Sequence, residues 1–465
     1  MLTYTLISKS DKSLYIQLYE KIKADIIGGT LKKDERLPSK RAFAKNLGVS
    51  VITVENAYSQ LMSEGYIYSE PKSGYFVSAI YAPFKNEKKE EKKQVYFAKA
   101  KLYKYNFASN GVRTSNFPFS VWKKMLKEAF QNPKEVMLPS DAGGINELRT
   151  ALCKHLKEYR NMSVSPEQII IGAGTEYLYS LIIQLLGFDK TYATENPGYG
   201  KISEIYSANG VECVYVDTDS NGMRIDKLNE SGAQIAHLSP SHHFPTGSVM
   251  SISRRYDMLS WAGEDENRYI IEDDYDSEFR FTGKPLPALQ SIDSEGKVIY
   301  INTFTKSLSP AIRISYMVLP ERLVERFYKK LGFYSNTVSN FEQLTLALFI
   351  DRGYFEKHIN RMRNYYKKVR NALLDEIKNS PLGDKSSVLE EEAGLHFLLK
   401  LETDISDTEL IKRAEKNTVK ISCLSEYYLK NKKNAPKHIV IINYSAIAKE
   451  DIVPAIKALD KCLEG

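Results

Sequence analysis

Short apolar runs separated by helical or polar stretches dominate the chain from residue 105 onward. Five of these runs are strand candidates, namely KTYATE, VECVYVD, QIAHLSP, RYIIEDD and VIYINTF. Brief, nearly continuous apolar runs are typical of strands that are buried on both faces. Their alternation with helical segments predicts a mostly parallel sheet that helices cover on both sides. Ligands of such sheets bind at the carboxyl ends of the strands.

After residue 320 the pattern changes to long helical stretches followed by further strands. A helical pattern runs through EQLTLALFIDRGYFEKHINRMRNYYKKVRNALLDEI, and two later runs, AGLHFLLKL and KHIVIINYS, are strand candidates. The segment DIVPAIKALDKCL predicts a closing helix. This change of pattern indicates a second, smaller part of the same body.

The first eighty residues have a pattern of their own. One helical face carries Tyr15, Leu18, Ile22 and Ile26 and is followed by a pair of glycines. Two shorter helical patterns follow and are separated by Gly48, an arrangement that predicts a helix-turn-helix. The segment YIYSEPKSGYFV then predicts two short strands about a Pro-Lys-Ser-Gly turn, which would form a wing.

Composition describes a globular protein of two or three domains. The chain has 465 residues, of which 43% are hydrophobic and 26% are charged, and this length exceeds that of one ordinary domain. The net charge of +7 permits a nucleic-acid partner without requiring one. We predict a cytoplasmic protein without a membrane segment, because no long apolar run or signal pattern is visible. The four scattered cysteines are expected to be reduced thiols, and no metal site is predicted.

Two stretches at the ends of predicted strands carry candidate chemistry. Lys306 lies in a hydroxyl-rich turn with Thr303, and Arg313 follows a few residues later. Burial lowers the pKa of a lysine and makes its amine a better nucleophile. Asp273 ends another apolar run, where a carboxylate can keep a heterocyclic nitrogen protonated, and Tyr275 can bond a ring oxygen. The ordinary alternatives are a surface lysine and an acidic loop.

A third stretch, QIIIGAGTEYLYSLIIQLL, runs from a strand through a glycine turn into an apolar helix. Gly174 and Thr175 stand at the start of this helix, where backbone N–H groups and the helix dipole favour a phosphate. A tight strand-to-helix turn would need the same glycines. The order and spacing of all three stretches favour one shared site.

Together the three stretches resemble the pyridoxal-phosphate site of fold type I enzymes, which share the aspartate-aminotransferase fold. The resemblance implies that Lys306 forms the Schiff base, that Asp273 pairs with the ring nitrogen and that Tyr275 bonds the phenolic oxygen. It also implies that Tyr199, in ENPGYGKI, stacks on the ring. The residues implied to hold the phosphate are Gly174, Thr175, Thr303 and Arg313.

The N-terminal segment resembles the GntR-type winged helix. The signature LPS-x-R followed by VS-x-x-TV matches residues 37–41 and 49–54. The resemblance implies that the recognition helix enters the major groove of double-stranded DNA and that the wing follows a phosphate strand. Val51 stands where relatives usually carry an arginine, so an operator inferred from relatives would be unreliable. The residues expected to face DNA are Ser39, Arg41, Ser50, Thr53 and Lys72.

A GntR head joined to an aminotransferase-like body resembles the MocR/GabR-type transcription regulators. The resemblance implies a winged helix over residues 1–80, a large α/β domain over 105–330 and a small domain over 331–465. Residues 81–104 form a mixed-charge run that we predict to be a linker. The resemblance to these regulators further implies a homodimer with two DNA-binding heads and a cofactor through which the body senses an amine.

Two departures from the aminotransferase pattern bear on activity. In PSHHFPTG, Phe244 replaces an asparagine that bonds the cofactor in many such enzymes, and His242 and His243 are expected to be architectural. Ile441 stands where carboxylate-binding members carry an arginine, and Lys201 would supply a less selective charge. We therefore favour a regulator that senses an amine, or pyridoxal phosphate itself, with at most a weak or partial transamination reaction. The alternative is an aminotransferase with an accessory DNA-binding domain.

Overall fold

The computed structural model divides into two compact units, Met1–Lys99 and Ala100–Gly465. Apart from its last two positions, the predicted linker over residues 81–104 lies outside the described residues. The finer domain boundaries within the body stay a prediction. The residues that the structure describes are 2–7, 11–79, 103–109, 111–131, 136–281, 286–390 and 394–464.

The N-terminal unit is a winged helix-turn-helix, as predicted. Its helices are α1 (Leu14–Ile27), α2 (Lys40–Leu47) and α3 (Val51–Ser63). Its strands are β1 (Arg36–Leu37), β2 (Ile67–Glu70) and β3 (Gly74–Val77). The strands form an antiparallel sheet in the order β1-β3-β2. Gly48 ends α2 with a left-handed φ of 67°, which lets the chain turn sharply into α3.

Apolar side chains from all three helices make the core of this unit. Leu18 and Ile22 of α1 pack with Phe43 of α2 and with Val54 and Tyr58 of α3. These are the faces that the helical periodicity predicts to be buried. The core therefore holds the recognition helix α3 against the other two helices.

The second unit begins with β4 (Tyr105–Asn106) and is built around an eight-stranded sheet. The strands of this sheet are β5 (Ile169–Gly172), β6 (Thr191–Asn196), β7 (Glu212–Asp219), β8 (Gly222–Met223), β9 (Ile235–Leu238), β10 (Tyr269–Asp273), β11 (Val298–Thr303) and β12 (Ser315–Val318). Their order is β5-β12-β11-β10-β9-β6-β7-β8. The run from β11 to β7 is parallel, whereas β12 pairs antiparallel with both of its neighbours. The prediction of a mostly parallel sheet is confirmed.

Helices cover both faces of this sheet. Alternate residues of β11 show this, because Tyr300 joins one apolar cluster while Ile299 and Ile301 join another. The helices are α4 (Phe119–Ala129), α5 (Asn146–Arg160), α6 (Thr175–Leu186), α7 (Gly200–Ala208), α8 (Ile225–Glu230), α9 (Ile252–Gly263), α10 (Phe304–Ser307), α11 (Glu321–Leu331), α12 (Asn340–Asp351) and α13 (Tyr354–Asn379). Within the described ranges, no helix is both long enough and apolar enough to cross a bilayer.

A smaller antiparallel sheet follows the long helix α13. Its strands are β13 (Ser386–Leu389), β14 (His396–Leu401), β16 (Ser422–Cys423) and β17 (Ile439–Asn443), in the order β13-β14-β17-β16. A further strand, β15 (Val419–Lys420), pairs in parallel with β4. The remaining helices are α14 (Asp407–Lys416) and α15 (Ile452–Asp460).

Candidate functional site

The carboxyl ends of the parallel strands surround a cavity of about 210 Å³. A second cavity of about 220 Å³ shares many of the same lining residues and extends toward the start of α6. The residues predicted for a cofactor line one or both of these spaces, together with Lys201. They are Gly174, Thr175, Tyr199, Asp273, Tyr275, Thr303, Lys306 and Arg313. The fold thus brings these residues together from widely separated parts of the chain.

Lys306 lies in the short helix α10, directly after β11. Thr303 ends the strand, and its hydroxyl accepts a hydrogen bond from the Thr305 N–H at 3.2 Å, which caps the helix. The Lys306 side chain is 8% exposed. Burial lowers the pKa of this lysine to about 8, and the carboxylate of Asp276 opposes that change. About a tenth of the amine is therefore neutral, and nucleophilic, at pH 7, far more than for an exposed lysine.

Asp273 presents a carboxylate to the cavity at the end of β10. Its Oδ2 accepts a hydrogen bond from the Tyr179 hydroxyl at 2.5 Å and lies 3.5 Å from Nε2 of His237. Burial and the neighbouring Asp273 raise the pKa of Tyr179 well above its ordinary value, so this phenol stays protonated as a donor. The other oxygen, Oδ1, is buried without a hydrogen-bond partner among the described residues.

Tyr179 and His237 do not figure in the sequence prediction, although both support Asp273. Tyr179 follows Thr175 by one helical turn of α6, so helical spacing alone places both residues on one face. His237 lies in β9, the strand beside β10. Their contacts with Asp273 depend on the pairing of distant segments, which no local pattern reveals.

Tyr275 and Tyr199 approach the cavity from two different loops. The Tyr275 hydroxyl lies 3.1 Å from Nδ1 of His242. Tyr199 precedes α7, is 45% exposed, and makes an edge-to-face contact with Phe244 at a centroid distance of 5.9 Å. An aromatic ring in this position is able to cover a flat ligand.

The start of α6 forms a positively charged end of the cavity. Gly174 has a φ of 98°, and a side chain at this position would collide with the guanidinium of Arg313. The carboxylate of Glu176 lies 3.7 Å from this guanidinium and also pairs with the ammonium of Lys201. Glu176 does not figure in the sequence prediction. Backbone N–H groups of a helix start together with two cations make this end suitable for an anion.

Phe244, which lines the first cavity, belongs to an apolar and aromatic wall. Phe244 contacts the rings of Tyr427 and His396 at centroid distances of 5.1 and 5.3 Å. Phe244 and Tyr427 pack against a cluster that includes Ile441, which is 2% exposed, and Leu398. Burial lowers the pKa of His396 well below its ordinary value, so its imidazole is neutral at neutral pH. The Ile441 position is thus part of an apolar core.

His243, the second histidine of the PSHHFPTG loop, makes its polar contacts with other residues of the protein. Nδ1 of His243 lies 2.7 Å from the Thr246 hydroxyl, and its Nε2 lies 3.5 Å from the carboxyl of Glu195. Burial lowers the pKa of His243 to about 3 and raises that of Glu195 to about 8, so both are neutral at neutral pH. Among the residues that the structure describes, no group of three or more histidine, cysteine, aspartate or glutamate side chains is placed to hold a metal ion.

The residues predicted to face DNA lie in the helix-turn-helix and wing of the N-terminal unit. Arg41 and Lys72 are exposed, and Lys72 has a left-handed φ of 62° in the wing turn. Ser39 and Ser50 are also exposed, but their hydroxyls cap α2 and α3 by accepting hydrogen bonds from the N–H groups of Ala42 and Thr53. The hydroxyl of Thr53 lies 2.8 Å from that of Ser50. The capping role is readable from the sequence, because serine before a helix is a strong N-cap signal.

Comparisons with known proteins cover both units. Residues 14–77 match the family described as "Bacterial regulatory proteins, gntR family". The chain is 38% identical over 461 residues to the uncharacterized HTH-type transcriptional regulator YdeL of Bacillus subtilis (strain 168), covering 97% of this chain and 96% of that protein. It is 30% identical over 475 residues to the probable rhizopine catabolism regulatory protein MocR of Rhizobium meliloti, and the match covers 97% of this chain and 94% of that protein.

Among solved structures, the body is similar to the kynurenine aminotransferase of Pyrococcus horikoshii determined in complex with PMP. The TM-score is 0.68 at 24% identity, over 78% of this chain and 91% of that chain. This likeness shows that the body has the aminotransferase fold. Together with the winged helix and the full-length relatives, it shows that the chain belongs to the MocR-type transcriptional regulators, in which a GntR DNA-binding domain is fused to an aminotransferase-fold body.

Proposed function

We propose that this DNA-binding regulator holds pyridoxal 5′-phosphate in the cavity around Lys306 and senses an amine through it. The observation that carries the proposal is the joint presence of two groups in one cavity. One is the buried amine of Lys306, whose pKa is lowered to about 8, and the other is the unpartnered Oδ1 of Asp273. A buried acceptor without a partner in the described chain calls for a donor from a ligand.

The residues present fit this cofactor at three points. Asp273 Oδ1 offers an acceptor to a protonated ring nitrogen, and the hydrogen bond from Tyr179 to Oδ2 holds the carboxylate in place. The start of α6, with Thr175 and Arg313 beside it, offers a site to a phosphate group. Lys306 lines the cavity that contains Asp273 and also the cavity that contains the start of α6.

The remaining contacts follow from the positions of the side chains. Tyr275 would donate to the phenolic oxygen, Tyr199 would cover the ring, and Thr303 and Gly174 would complete the phosphate site with Thr175 and Arg313. Bound pyridoxal phosphate supplies an aldehyde for reversible condensation with amines and an electron sink for the groups that condense. The protein supplies the competing amine of Lys306 and excludes water around it.

Sensing requires two states of the body that differ in free energy. An amine that displaces Lys306 frees a buried ammonium or amine within α10, a helix of four residues. The contacts of α10 with its surroundings then differ between the two states. Only such a difference can shift the affinity of the DNA-binding unit.

The apolar wall favours a sensor over an aminotransferase of ordinary amino acids. Phe244 lines the cavity and packs against the apolar cluster of Ile441 and against the neutral His396. None of these groups is a cation that could pair with a carboxylate placed near Phe244, and an unpaired buried carboxylate costs several kcal/mol. The cations Lys201 and Arg313 line the second cavity, whose lining does not include Phe244, and both lie close to the carboxylate of Glu176. The amine that fits this cavity therefore lacks a carboxylate on the Phe244 side.

Chemical trapping tests the cofactor part of the proposal. Purified protein mixed with pyridoxal phosphate should gain a visible absorption band, and borohydride followed by peptide mapping should place the adduct on Lys306. The matched control is Lys297→Met, since Lys297 is also a buried lysine but its ammonium donates to the Asp265 carbonyl at 2.7 Å, outside the cavity. Labelling that persists in Lys306→Ala would overturn the proposal.

Footprinting and turnover measurements separate the sensor from the enzyme. A panel of amines and amino acids is added to the loaded protein, and both DNA footprints and multiple-turnover keto-acid formation are followed. Footprints that change without turnover support the sensor, while sustained turnover supports the aminotransferase alternative. Footprints that respond to pyridoxal phosphate alone would show that the cofactor is itself the effector.

We also propose that the regulator is a homodimer. Large apolar side chains of the second unit are exposed, including Phe119 at 66% and Met137 at 75%. Exposed apolar groups of this size are typical of surfaces that another chain covers. Sedimentation equilibrium should give twice the chain mass, and a monomer at micromolar concentration would contradict this proposal.

A further inference from the structure

A buried histidine–carboxylate pair lies beside Tyr275 and has no part in holding the cofactor as proposed so far. Nδ1 of His242 lies 3.0 Å from each carboxylate oxygen of Asp276 and 3.1 Å from the Tyr275 hydroxyl. His242 is 4% exposed and Asp276 is 2% exposed. Three oxygen atoms from two polar groups thus surround one buried nitrogen atom.

The Asp276 carboxylate determines which ring nitrogen of His242 carries the proton. An ionised carboxylate accepts hydrogen bonds and donates none, so Nδ1 of His242 must hold the proton between them. The same N–H then points also toward the Tyr275 oxygen at 3.1 Å. Because that oxygen faces a donor, the Tyr275 hydroxyl proton cannot be given to His242 and remains available to the cavity.

The surroundings of His242 leave little freedom for a different arrangement. A side chain at Gly394 would overlap the imidazole, so the ring is held between this backbone and Asp276. The ring of His396 packs at a centroid distance of 4.8 Å, and its Nε2 lies 3.2 Å from the Pro245 carbonyl. Burial keeps His396 neutral at neutral pH.

Two further charged groups lie close to this pair. Arg160 and Arg280 line a small space that His242 and Asp276 also line. Arg160 forms an ion pair with Asp274 at 2.7 Å. Lys306, whose pKa Asp276 raises against the effect of burial, faces the pair from the cavity side.

We propose that His242 and Asp276 are positioning residues that fix Tyr275 as a hydrogen-bond donor toward the ligand oxygen. This inference rests on the proposed function, because it needs pyridoxal phosphate in the cavity. Burial raises the pKa of Tyr275 well above its ordinary value, which keeps the donated proton on the phenol. A donor fixed in this way favours a ligand that carries an anionic oxygen over one that has none.

The test measures the binding of two ligands to the parent protein and to its variants. The ligands are pyridoxal phosphate and its 3-deoxy analogue, which lacks the phenolic oxygen. The quantity measured is the dissociation constant of the 3-deoxy analogue divided by that of pyridoxal phosphate. Because Lys306 condenses with both aldehydes, changes in the lysine pKa cancel from the ratio. A merely structural role of His242 would weaken both ligands and leave the ratio unchanged.

The informative variant is Asp276→Asn, whose amide can donate to Nδ1 and so reverse the tautomer. We expect this variant to reduce the ratio about tenfold, the effect of one hydrogen bond to a charged group. Asp276→Glu keeps a carboxylate and should keep the ratio. The control is His155→Gln, because His155 is another buried histidine beside a carboxylate, 3.4 Å from Glu356, outside the cofactor cavity.

Nitrogen-15 spectra of histidine in the intact parent give a measurement that needs no variant. They should show a proton on Nδ1 of His242, and a bare Nδ1 with a protonated Nε2 would overturn the inference. An unchanged ratio in Asp276→Asn, with Lys306 still labelled, would overturn the inference while the proposed function stands. A parent that binds neither ligand would overturn both.

Discussion

Single residues set the chemistry of the cavity through burial. Lys306, Glu195 and His243 are each neutral, wholly or in part, near neutral pH because burial removes water from the charged form. Asp273 accepts a hydrogen bond from Tyr179 through one oxygen, which also lies 3.5 Å from Nε2 of His237, and its other oxygen has no partner among the described residues. The cavity therefore combines a buried amine with an acceptor oxygen that has no partner in the described chain.

The first prediction concerns the pH dependence of cofactor binding. In the proposed function the neutral amine of Lys306 is the nucleophile, and burial lowers its pKa to about 8. The association rate of pyridoxal phosphate should therefore rise roughly tenfold per pH unit below 8. Above pH 8 the rate should level off. Stopped-flow absorbance measures the rate, and a rise that continues to pH 10 would show that Lys306 keeps the pKa of an exposed lysine.

The same lysine also affects folding stability. Its pKa in the folded chain lies below that of an exposed lysine, so the unfolded chain binds more protons between about pH 8 and pH 10. The Lys306 contribution to the free energy of unfolding is therefore most unfavourable below pH 8 and rises toward pH 10. Lys306→Met should flatten this part of the stability profile measured by urea unfolding, whereas Lys201→Met, a substitution of an exposed lysine, should not.

A second prediction tests the apolar wall at Ile441. The side chain is 2% exposed and packs in the cluster beneath Phe244. Ile441→Arg would bury an unpaired guanidinium and should lower the free energy of unfolding by about 3–5 kcal/mol. The control Ile441→Val should cost only about 1 kcal/mol. A stable Ile441→Arg protein that gains a response to amino acids would show instead that the position faces the ligand.

The pattern of apolar residues predicts the helices and strands better than it predicts the contacts within the site. The runs that end at Asp273 and Thr303 form strands β10 and β11, and their chemistry lies at the carboxyl ends as parallel strands require. The contact of Tyr179 with Asp273 joins residues 94 positions apart. Such pairing depends on sheet order, which a local pattern does not contain.

Helix ends can be predicted from neighbouring residues, whereas contacts between distant segments cannot. Gly353, with a left-handed φ of 68°, separates α12 from α13 within one long helical pattern. Ser39 and Ser50 cap helices through contacts three residues away, which their sequence context predicts. The pairing of Glu176 with Lys201 and Arg313 joins three separate segments and is visible only in the fold.

A third prediction concerns the cap of the recognition helix. The Ser50 hydroxyl accepts the Thr53 N–H at 3.1 Å at the start of α3. Ser50→Ala should cost about 1 kcal/mol of helix stability, seen as roughly fivefold faster hydrogen exchange of the α3 amides in the intact chain. Ser59→Ala, at an exposed position inside the same helix, should not accelerate exchange. Equal exchange in both variants would mean that the cap contributes nothing.

At the scale of the whole chain, the proposed sensing function requires a coupling free energy between DNA binding and amine binding in the cavity. If an amine changes the dissociation constant for operator DNA by some factor, operator DNA must change the dissociation constant for the amine by the same factor. A factor of roughly 5–150 is typical of such coupling. Measuring both constants with and without the other ligand tests the link directly, because the two factors must agree.

The fourth prediction follows from the place of Lys306 in this link. Lys306→Ala should bind operator DNA with about the affinity of the unliganded parent, because Lys306 lies in the second unit and the winged helix in the first. Added amine should then leave its DNA affinity unchanged, since the competing lysine is gone. Arg41→Ala is the matched control, which should weaken DNA binding and lower its salt dependence while the amine factor stays that of the parent. A Lys306→Ala protein whose DNA affinity still responds to the amine would mean that the amine acts outside the cavity and that the two units communicate by another route.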